Sequence, residues 1–358
     1  MSAYTITYIK NENKKEKPDF DNLAFGKYFT DHMFILDYSE QKEWHNARIV
    51  PYKPLQLDPA AIVFHYGQTV FEGLKAYKTK SGDIQLFRPN KNMERLNRSN
   101  ERMCIPEIDE EFAIEAIKNL VEIDKDWVPD APGTSLYIRP FIISTEPYLG
   151  VSPSSTYQFI IILSPVGAYY EEGINPVRIA VENEFVRAVK GGTGEAKTAG
   201  NYASSLKAQE MVSNKGYAQV LWLDGIEKKY IEEVGSMNVF FVINDEVITP
   251  ELNGSILNGV TRNSVITLLN HWNIPVKERK ITMEEIYEYA QNGELKEAFG
   301  AGTAAVISPI GELSWNDKKI EINDGKTGKI SFDLYETLTG IQYGRDEDIF
   351  DWIVKVKF

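Results

Sequence analysis

Apolar and polar positions along this 358-residue chain follow two rhythms. Alternation and short apolar runs mark strands; apolar residues three and four apart mark helices. SLYIRPFIIST (135–145) and TYQFIIIL (156–163) are rich in β-branched and aromatic residues and predict strands. AIVFHYG (61–67) and GLKAYKT (73–79) read as strand or buried segments, and Ser81-Gly82-Asp83 turns the latter into a returning strand, DIQLFRP (83–89). Pro89 opens a helix with Met93, Leu96 and Met103 on one stripe. Asp109 is placed to cap a second helix, on which Phe112, Ala116, Ile117 and Leu120 share a face. Further on, VRIAVE (177–182), AQVLWL (218–223), YIEEVG (230–235) and NVFFVI (238–243) predict strands, with turns at Asp224-Gly225 and Asn244-Asp245. A helical stretch over 201–216 ends at Gly216, and helices follow at about 261–272, 282–291 and 331–342. Thr282 and Glu285 form a capping-box pattern.

Strands and helices interleave without a steady βαβ rhythm, and adjacent strands are joined by hairpin-like turns. The expected class is therefore α+β with antiparallel or mixed sheets, not a doubly wound nucleotide fold. The segment PVGAYYEEGINP (165–176), with Pro, Gly and acidic residues between apolar strands, reads as a linker. It suggests a smaller N-terminal domain (1–166), a linker (167–177) and a larger C-terminal domain (178–358).

Charge narrows the function. A formal net charge of −13 makes the chain a poor general binder of nucleic acid or anionic membrane, so an anionic ligand needs a local positive site. The N-terminal stretch has no apolar signal core, and Lys10 to Lys17 reads as a solvated loop or tail. No run of about 18 apolar residues is present, so no transmembrane helix is expected. The single cysteine, Cys104, excludes an intrachain disulfide, fits a reducing cytoplasm and is expected to be a small buried apolar residue. No Cys or His pairs stand at zinc-ligand spacing, so no metal is expected.

The run GGTGEAKTAGNY (191–202) poses the chemical question. From Gly191 it nearly matches the phosphate-binding loop G-x-x-x-x-G-K-[ST], with VLWLD (220–224) placed like a magnesium-binding strand. Ala196 stands where the second glycine lets backbone N–H groups wrap a phosphate, and Asp224 precedes Gly225 as in a turn. A nucleotide-binding protein, an exposed flexible loop and a reactive lysine all remain open on these residues alone.

The wider constellation resembles the branched-chain amino-acid aminotransferases, fold-type-IV enzymes that use pyridoxal 5′-phosphate. The matching stretches run in family order: FGKYFTDHM, YGQTVFEGLKAY, LFRPNKNMERL, DKDWVPDAPGTSLYIRP, YLGVS, GNYASSL, VLWLDG, EEVGSMN, ILNGVTR and GAGTAAV, extending to IQYGR. The resemblance implies a two-domain α+β enzyme that moves an amino group between leucine, isoleucine or valine and 2-oxoglutarate. It implies Lys197 as Schiff-base lysine and general acid/base, the role of a primary amine that must be neutral to attack. Glu233 is implied as partner of the pyridine nitrogen, although a glutamate beside Glu232 would ordinarily lie at the surface. Arg88 is implied to hold the phosphate, with the backbone N–H groups of Val260 and Thr261 at a helix start and the Thr303 hydroxyl; Tyr202 is implied to bond the cofactor's 3′-oxygen.

On the substrate side the resemblance implies Phe25, Tyr66, Tyr137, Val151 and Tyr169 as lining an apolar side-chain pocket, with Ser236 also at the site. It places the α-carboxylate at Thr303 and Ala304, and the distal carboxylate of glutamate at Arg139. Leu149 and Val151 would reach across from a second subunit, implying a homodimer, with higher oligomers open. Ala305 and Ser308 stand where some relatives carry a C-x-x-C pair, so no thiol switch is expected, and Asn258 replaces a proline before the phosphate helix. D-amino-acid aminotransferase and aminodeoxychorismate lyase are rivals within the fold.

Overall fold

The strands Ser135–Ser144 and Thr156–Val166 run antiparallel from Ser135 opposite Val166 to Ser144 opposite Tyr157. Both are long because almost every residue suits a pleated, half-buried surface. In the computed structural model, which describes residues 5–167 and 174–356, they form the centre of a mixed sheet in the first of two units. On one side come His32–Ser39, Glu43–Pro51 and the short Thr7–Tyr8; on the other Leu74–Lys78, Ile84–Phe87 and Ile353–Val356, while Thr69–Phe71 joins Ser135–Ser144. The first unit also takes in Ala196–Ala199 and the chain from Gly340 onward.

The two faces of this sheet bury different residues, as alternation demands. Phe34, Leu36, Ile138, Phe159 and Ile161 pack with Met93 and Leu96 of helix Pro89–Arg102 and with Phe112, Ala116, Ile117 and Leu120 of helix Glu110–Ile123. Met33, Ile35, Ile143 and Ile160 form a second cluster. Burying each large aliphatic or aromatic side chain here contributes roughly 1.5–3 kcal/mol. Asp109 caps the second helix as expected, its side chain accepting from the Phe112 N–H at 2.8 Å.

In the second unit, six strands close on themselves. The order is Ile231–Val234, Gln219–Leu223, Val177–Val181, Val306–Trp315, Leu295–Gly302 and Met237–Ile243, the last pairing back onto the first. Closure leaves these strands no open edge. Two of the pairings are parallel, so the expected α+β class with mixed sheets holds. Helix Met283–Gln291 begins with the full capping box at Thr282 and Glu285.

Three local expectations differ. Residues 61–67 contain the short helix Ile62–Tyr66, closed by Gly67 in the left-handed conformation (φ 60°) with its N–H on the Val63 carbonyl. The turn chemistry of this glycine overrides the β-branched composition. The helix expected over 201–216 is two helices, Ala199–Ala203 and Leu206–Ser213. Cys104 is exposed, not buried. It takes a left-handed turn (φ 54°) after the helix, and its carbonyl, not its thiol, serves the interior, accepting from the Tyr157 hydroxyl at 3.2 Å.

Replacing Asp109 with alanine is expected to cost about 1 kcal/mol. Urea unfolding should show a lower midpoint at unchanged slope.

Candidate functional site

Each unit holds its own group of candidate residues. In the first, Lys197 belongs to a segment stitched into the sheet and the helix Pro89–Arg102. Its carbonyl accepts from the Phe71 N–H at 3.0 Å, and its N–H donates to Ser99 Oγ at 2.9 Å. Thr198 bridges Val70 and donates its hydroxyl to the Thr69 carbonyl at 2.7 Å. The backbone is therefore fixed while the side chain carries the amine.

Lys197 Nζ stands 4.8 Å from the centre of the Phe71 ring, and Arg139 Cζ stands 4.8 Å from the same ring. Phe71, not singled out from the sequence, is thus shared by an amine and a guanidinium. Arg139 Nη2 donates to the Tyr137 hydroxyl at 3.1 Å, and the Tyr137 ring meets Phe25 edge-on at 5.0 Å. Arg139 Nε is buried with no hydrogen-bond partner among the described residues. Gly73 is required beside this group, since a Cβ there would lie 2.0 Å from the Tyr137 oxygen.

Tyr66 donates its hydroxyl to the Leu149 carbonyl, fixing a loop on which Leu149 and Val151 are 63% and 84% exposed. Arg88 is buried in the left-handed conformation at the start of helix Pro89–Arg102, its guanidinium 4.9 Å over the Trp352 ring. Burial pulls its pKa down, with Glu94 opposing, yet an arginine stays protonated. A buried cation at a helix N-terminus suits an anion.

Lys75 was not picked out from the sequence either. It lies opposite Tyr137 in the strand register, so the two side chains share a sheet face. Burial pushes its pKa down to about 8. The legible signal was a lysine inside an otherwise apolar strand, GLKAY.

In the second unit, Tyr202, Glu233 and Ser236 line one cavity of about 160 Å³, together with Arg187, Asn201 and Trp222. Glu233 is 3% exposed, so the surface reading does not hold. Its Oε1 accepts from the Leu257 N–H at 2.8 Å, and its Oε2 lies 3.0 Å from Arg187 Nε. Arg187 in turn donates to the carbonyls of Gly194 and Ser255. This arginine was also missed, although it stands ten residues before Lys197 in the sequence. Glu232, equally buried, points to the other face and accepts from Ser255 and Asn253.

Val260 and Thr261 open helix Val260–His271, and Gly259 before them supplies no side-chain cap, so the first N–H groups are not capped from within. Thr303 and Ala304 sit in the turn between Leu295–Gly302 and Val306–Trp315. Val306, which closes that turn, has φ 63°, a strained conformation for a β-branched residue and one that clusters at functional sites. Tyr169 lies outside the described residues.

The phosphate-loop reading fails on the same geometry. The Lys197 N–H and the Thr198 hydroxyl, which such a loop aims at phosphate and magnesium, are committed to Ser99 and Thr69. Asp224 accepts from four backbone N–H groups, of Ile226, Glu227, Lys229 and Tyr230, as a turn residue does. Burial alone would raise its carboxyl pKa, but those bonds hold it below the usual value. The glycines serve packing instead: Gly191 has φ 82°, and a Cβ on Gly194 would lie 2.3 Å from the Ser255 oxygen. Among the described residues, no cluster of three His, Cys, Asp or Glu could hold a metal, and no helix is long and apolar enough to cross a membrane.

A lysine fixed by its backbone, a buried carboxylate and a closed strand ring agree with what comparison finds: the chain belongs to the Amino-transferase class IV family, which matches residues 69–313. It is 64% identical to branched-chain-amino-acid aminotransferase 2 of Bacillus subtilis, covering 99% of this chain and 98% of that one. It is 60% identical to branched-chain-amino-acid transaminase 1 of the same organism, over 96% of each. Among solved structures, the branched-chain amino acid aminotransferase of Escherichia coli superposes with a TM-score of 0.78 at 27% identity, over 91% of this chain and 99% of that one.

The folded pKa of Lys75, about 8 against an ordinary 10.5, has a measurable consequence. As pH falls from 10.5 to 8, the unfolded chain takes up a proton that the folded protein refuses, so stability falls across that window and levels off below it. Lys75→Met is expected to remove roughly 2–3 kcal/mol of that rise. Urea unfolding of both proteins at the two ends of the window checks it.

Proposed function

We propose that this protein transfers the amino group of leucine, isoleucine or valine to 2-oxoglutarate, giving the branched-chain 2-oxo acids and L-glutamate. The observation that carries the reading is the pairing of Lys197 and Arg139 on the Phe71 ring. It puts an amine for proton transfer near a guanidinium with a buried, unused donor, Arg139 Nε. One apolar wall, with Phe25 and Tyr137, suits an aliphatic side chain; the guanidinium suits the distal carboxylate of 2-oxoglutarate.

Class IV aminotransferases depend on pyridoxal phosphate. A related solved structure, 26% identical with a TM-score of 0.74, is a branched-chain amino acid aminotransferase described with pyridoxamine 5′-phosphate. The residues here fit that group. Glu233 holds a buried carboxylate on the wall of the same cavity as Tyr202, with Arg187 and the Leu257 N–H fixing it in place, and a carboxylate is the acceptor a ring N–H needs. Arg88 and the N–H groups of Val260 and Thr261 would hold the phosphate, with Thr303 adding a hydroxyl. Tyr202 would meet the 3′-oxygen from the wall it shares with Glu233. When bound, the cofactor withdraws electrons from the substrate Cα.

The chain's own residues do the rest. Lys197 would tether the cofactor, and once displaced its neutral Nζ would take the proton from the substrate Cα and, as an ammonium, deliver it to the cofactor's C4′, the reverse transfer serving the second half-reaction. Thr303 and Ala304 would receive the α-carboxylate, with Ser236 nearby. Tyr66, Tyr169, Leu149 and Val151 would complete the apolar pocket, the last two in a second copy of the chain. Their exposure supports a homodimer. The net charge of −13 supports a protein without nucleic-acid or anionic-membrane partners, and a single cysteine fits a reducing cytoplasm.

Lys197→Ala is expected to lower kcat by roughly 10²-fold to 10⁴-fold, measured as glutamate formed from L-leucine and 2-oxoglutarate with added pyridoxal phosphate. Retained turnover would remove Lys197 from the chemistry. Arg139→Gln is expected to raise KM for 2-oxoglutarate by roughly tenfold or more while changing that for leucine less. Activity on D-alanine in place of L-leucine would favour the D-amino-acid enzymes of the fold.

A further inference from the structure

Glu72 is fully buried, yet none of the roles above uses it. Its Oε1 lies 2.7 Å from Arg95 Nε, and its Oε2 accepts from Arg95 Nη2 at 2.8 Å, from Asn92 Nδ2 at 2.8 Å and from the Gly73 N–H at 3.2 Å. Its own N–H donates to the Pro140 carbonyl, next to Arg139, at 2.7 Å. Two of these partners and the residue before Glu72 belong to elements that also hold Lys197. Arg95 and Asn92 lie on the helix that supplies Ser99, and Ser99 both accepts the Lys197 N–H and donates to the Arg95 carbonyl at 3.0 Å. Phe71, adjacent to Glu72, donates to the Lys197 carbonyl and lies beneath its Nζ.

We infer that Glu72 and Arg95 are a positioning pair for Lys197: they lock the two elements that grip its backbone, and the Glu72 carboxylate supplies the counter-charge its Nζ meets when protonated. Among the described residues, Arg95 from the helix pairs with Glu72 and the Lys197 charge also acts on it, while Arg139 from the strand Ser135–Ser144 shares the Phe71 ring with Lys197. Burial alone would raise the Glu72 carboxyl pKa; Arg95, Asn92 and the Lys197 charge together hold it below its ordinary value. A site that alternates between amine and ammonium needs such a fixed counter-charge, because a neighbour free to reorient would lose part of the gain to reorganisation.

The inference rests on Lys197 being the reactive amine, but its test does not require turnover. Cofactor-free protein is treated with a trace of acylating reagent at pH 7, and modification of Lys197 is followed by peptide mass spectrometry. Glu72→Gln removes the counter-charge and leaves Arg95, so the neutral amine gains and acylation should speed by roughly tenfold. Arg95→Gln leaves the carboxylate to the lysine, so acylation should slow. A merely structural role would loosen the site in both variants and shift both rates the same way, which would overturn the inference, as would an unchanged rate in Glu72→Gln.

Breaking a buried pair can prevent folding, so a second measurement leaves the pair intact. The stability tied to Glu72 is present above the carboxyl's ordinary pKa and is lost as pH falls through its lowered folded value. Lys197→Met removes one of the charges that lower that value, so acid unfolding should begin at a higher pH, whereas Lys197→Arg should match the wild type. Identical acid midpoints in all three proteins would overturn the inference. Loss of turnover in Lys197→Ala bears only on the proposed reaction, so the two readings can fail separately.

Discussion

A carboxylate taken out of water must be met by matched donors, and this constraint organises both units. The uncompensated penalty is roughly several kcal/mol per ion. Glu72 is met by Arg95 and Asn92, and Glu233 by Arg187 and the Leu257 N–H. Glu297 accepts from the N–H groups of Ile330 and Ser331 and from the Ser331 hydroxyl, anchoring the first turn of helix Lys329–Gln342. In each case the acid fixes an element distant in sequence: a helix, a loop or a helix start. Breaking one side of such a pair therefore releases more than one contact.

The Arg187–Glu233 pair shows how this reaches the glycine-rich run. Arg187 spans from Glu233 to the carbonyls of Gly194 and Ser255, and Gly194 has no Cβ because Ser255 occupies that space. The glycines make room for backbone against backbone, and the lysine that follows is left with a fixed main chain. A loop that resembles a phosphate cradle by composition is, by geometry, a support for an amine.

Much of the fold was legible because local rules sufficed. The Asp109 cap, the capping box at Thr282, the hairpin at Gly82 and the turn at Asn244 depend on a few neighbouring residues, and each stands where the pattern put it. Residues 61–67 misled because β-branched composition there yields to one left-handed glycine. Cys104 misled because composition says which residues are usually buried, while the turn's φ decides which way this one points. Phe71, Lys75, Arg187 and Glu72 escaped notice because their importance lies in partners far along the chain.

The sequence by itself determined many of the strands, helices and turns, the family and the residue types available for chemistry. Those follow from periodicity, turn residues and ordered motifs, all local quantities. Only the tertiary structure decided that six strands close into a ring, that the chain from Gly340 returns to the first unit, and that Lys197 and Arg139 share one aromatic ring. Strand register and burial join residues far apart along the chain, and no local window contains both partners.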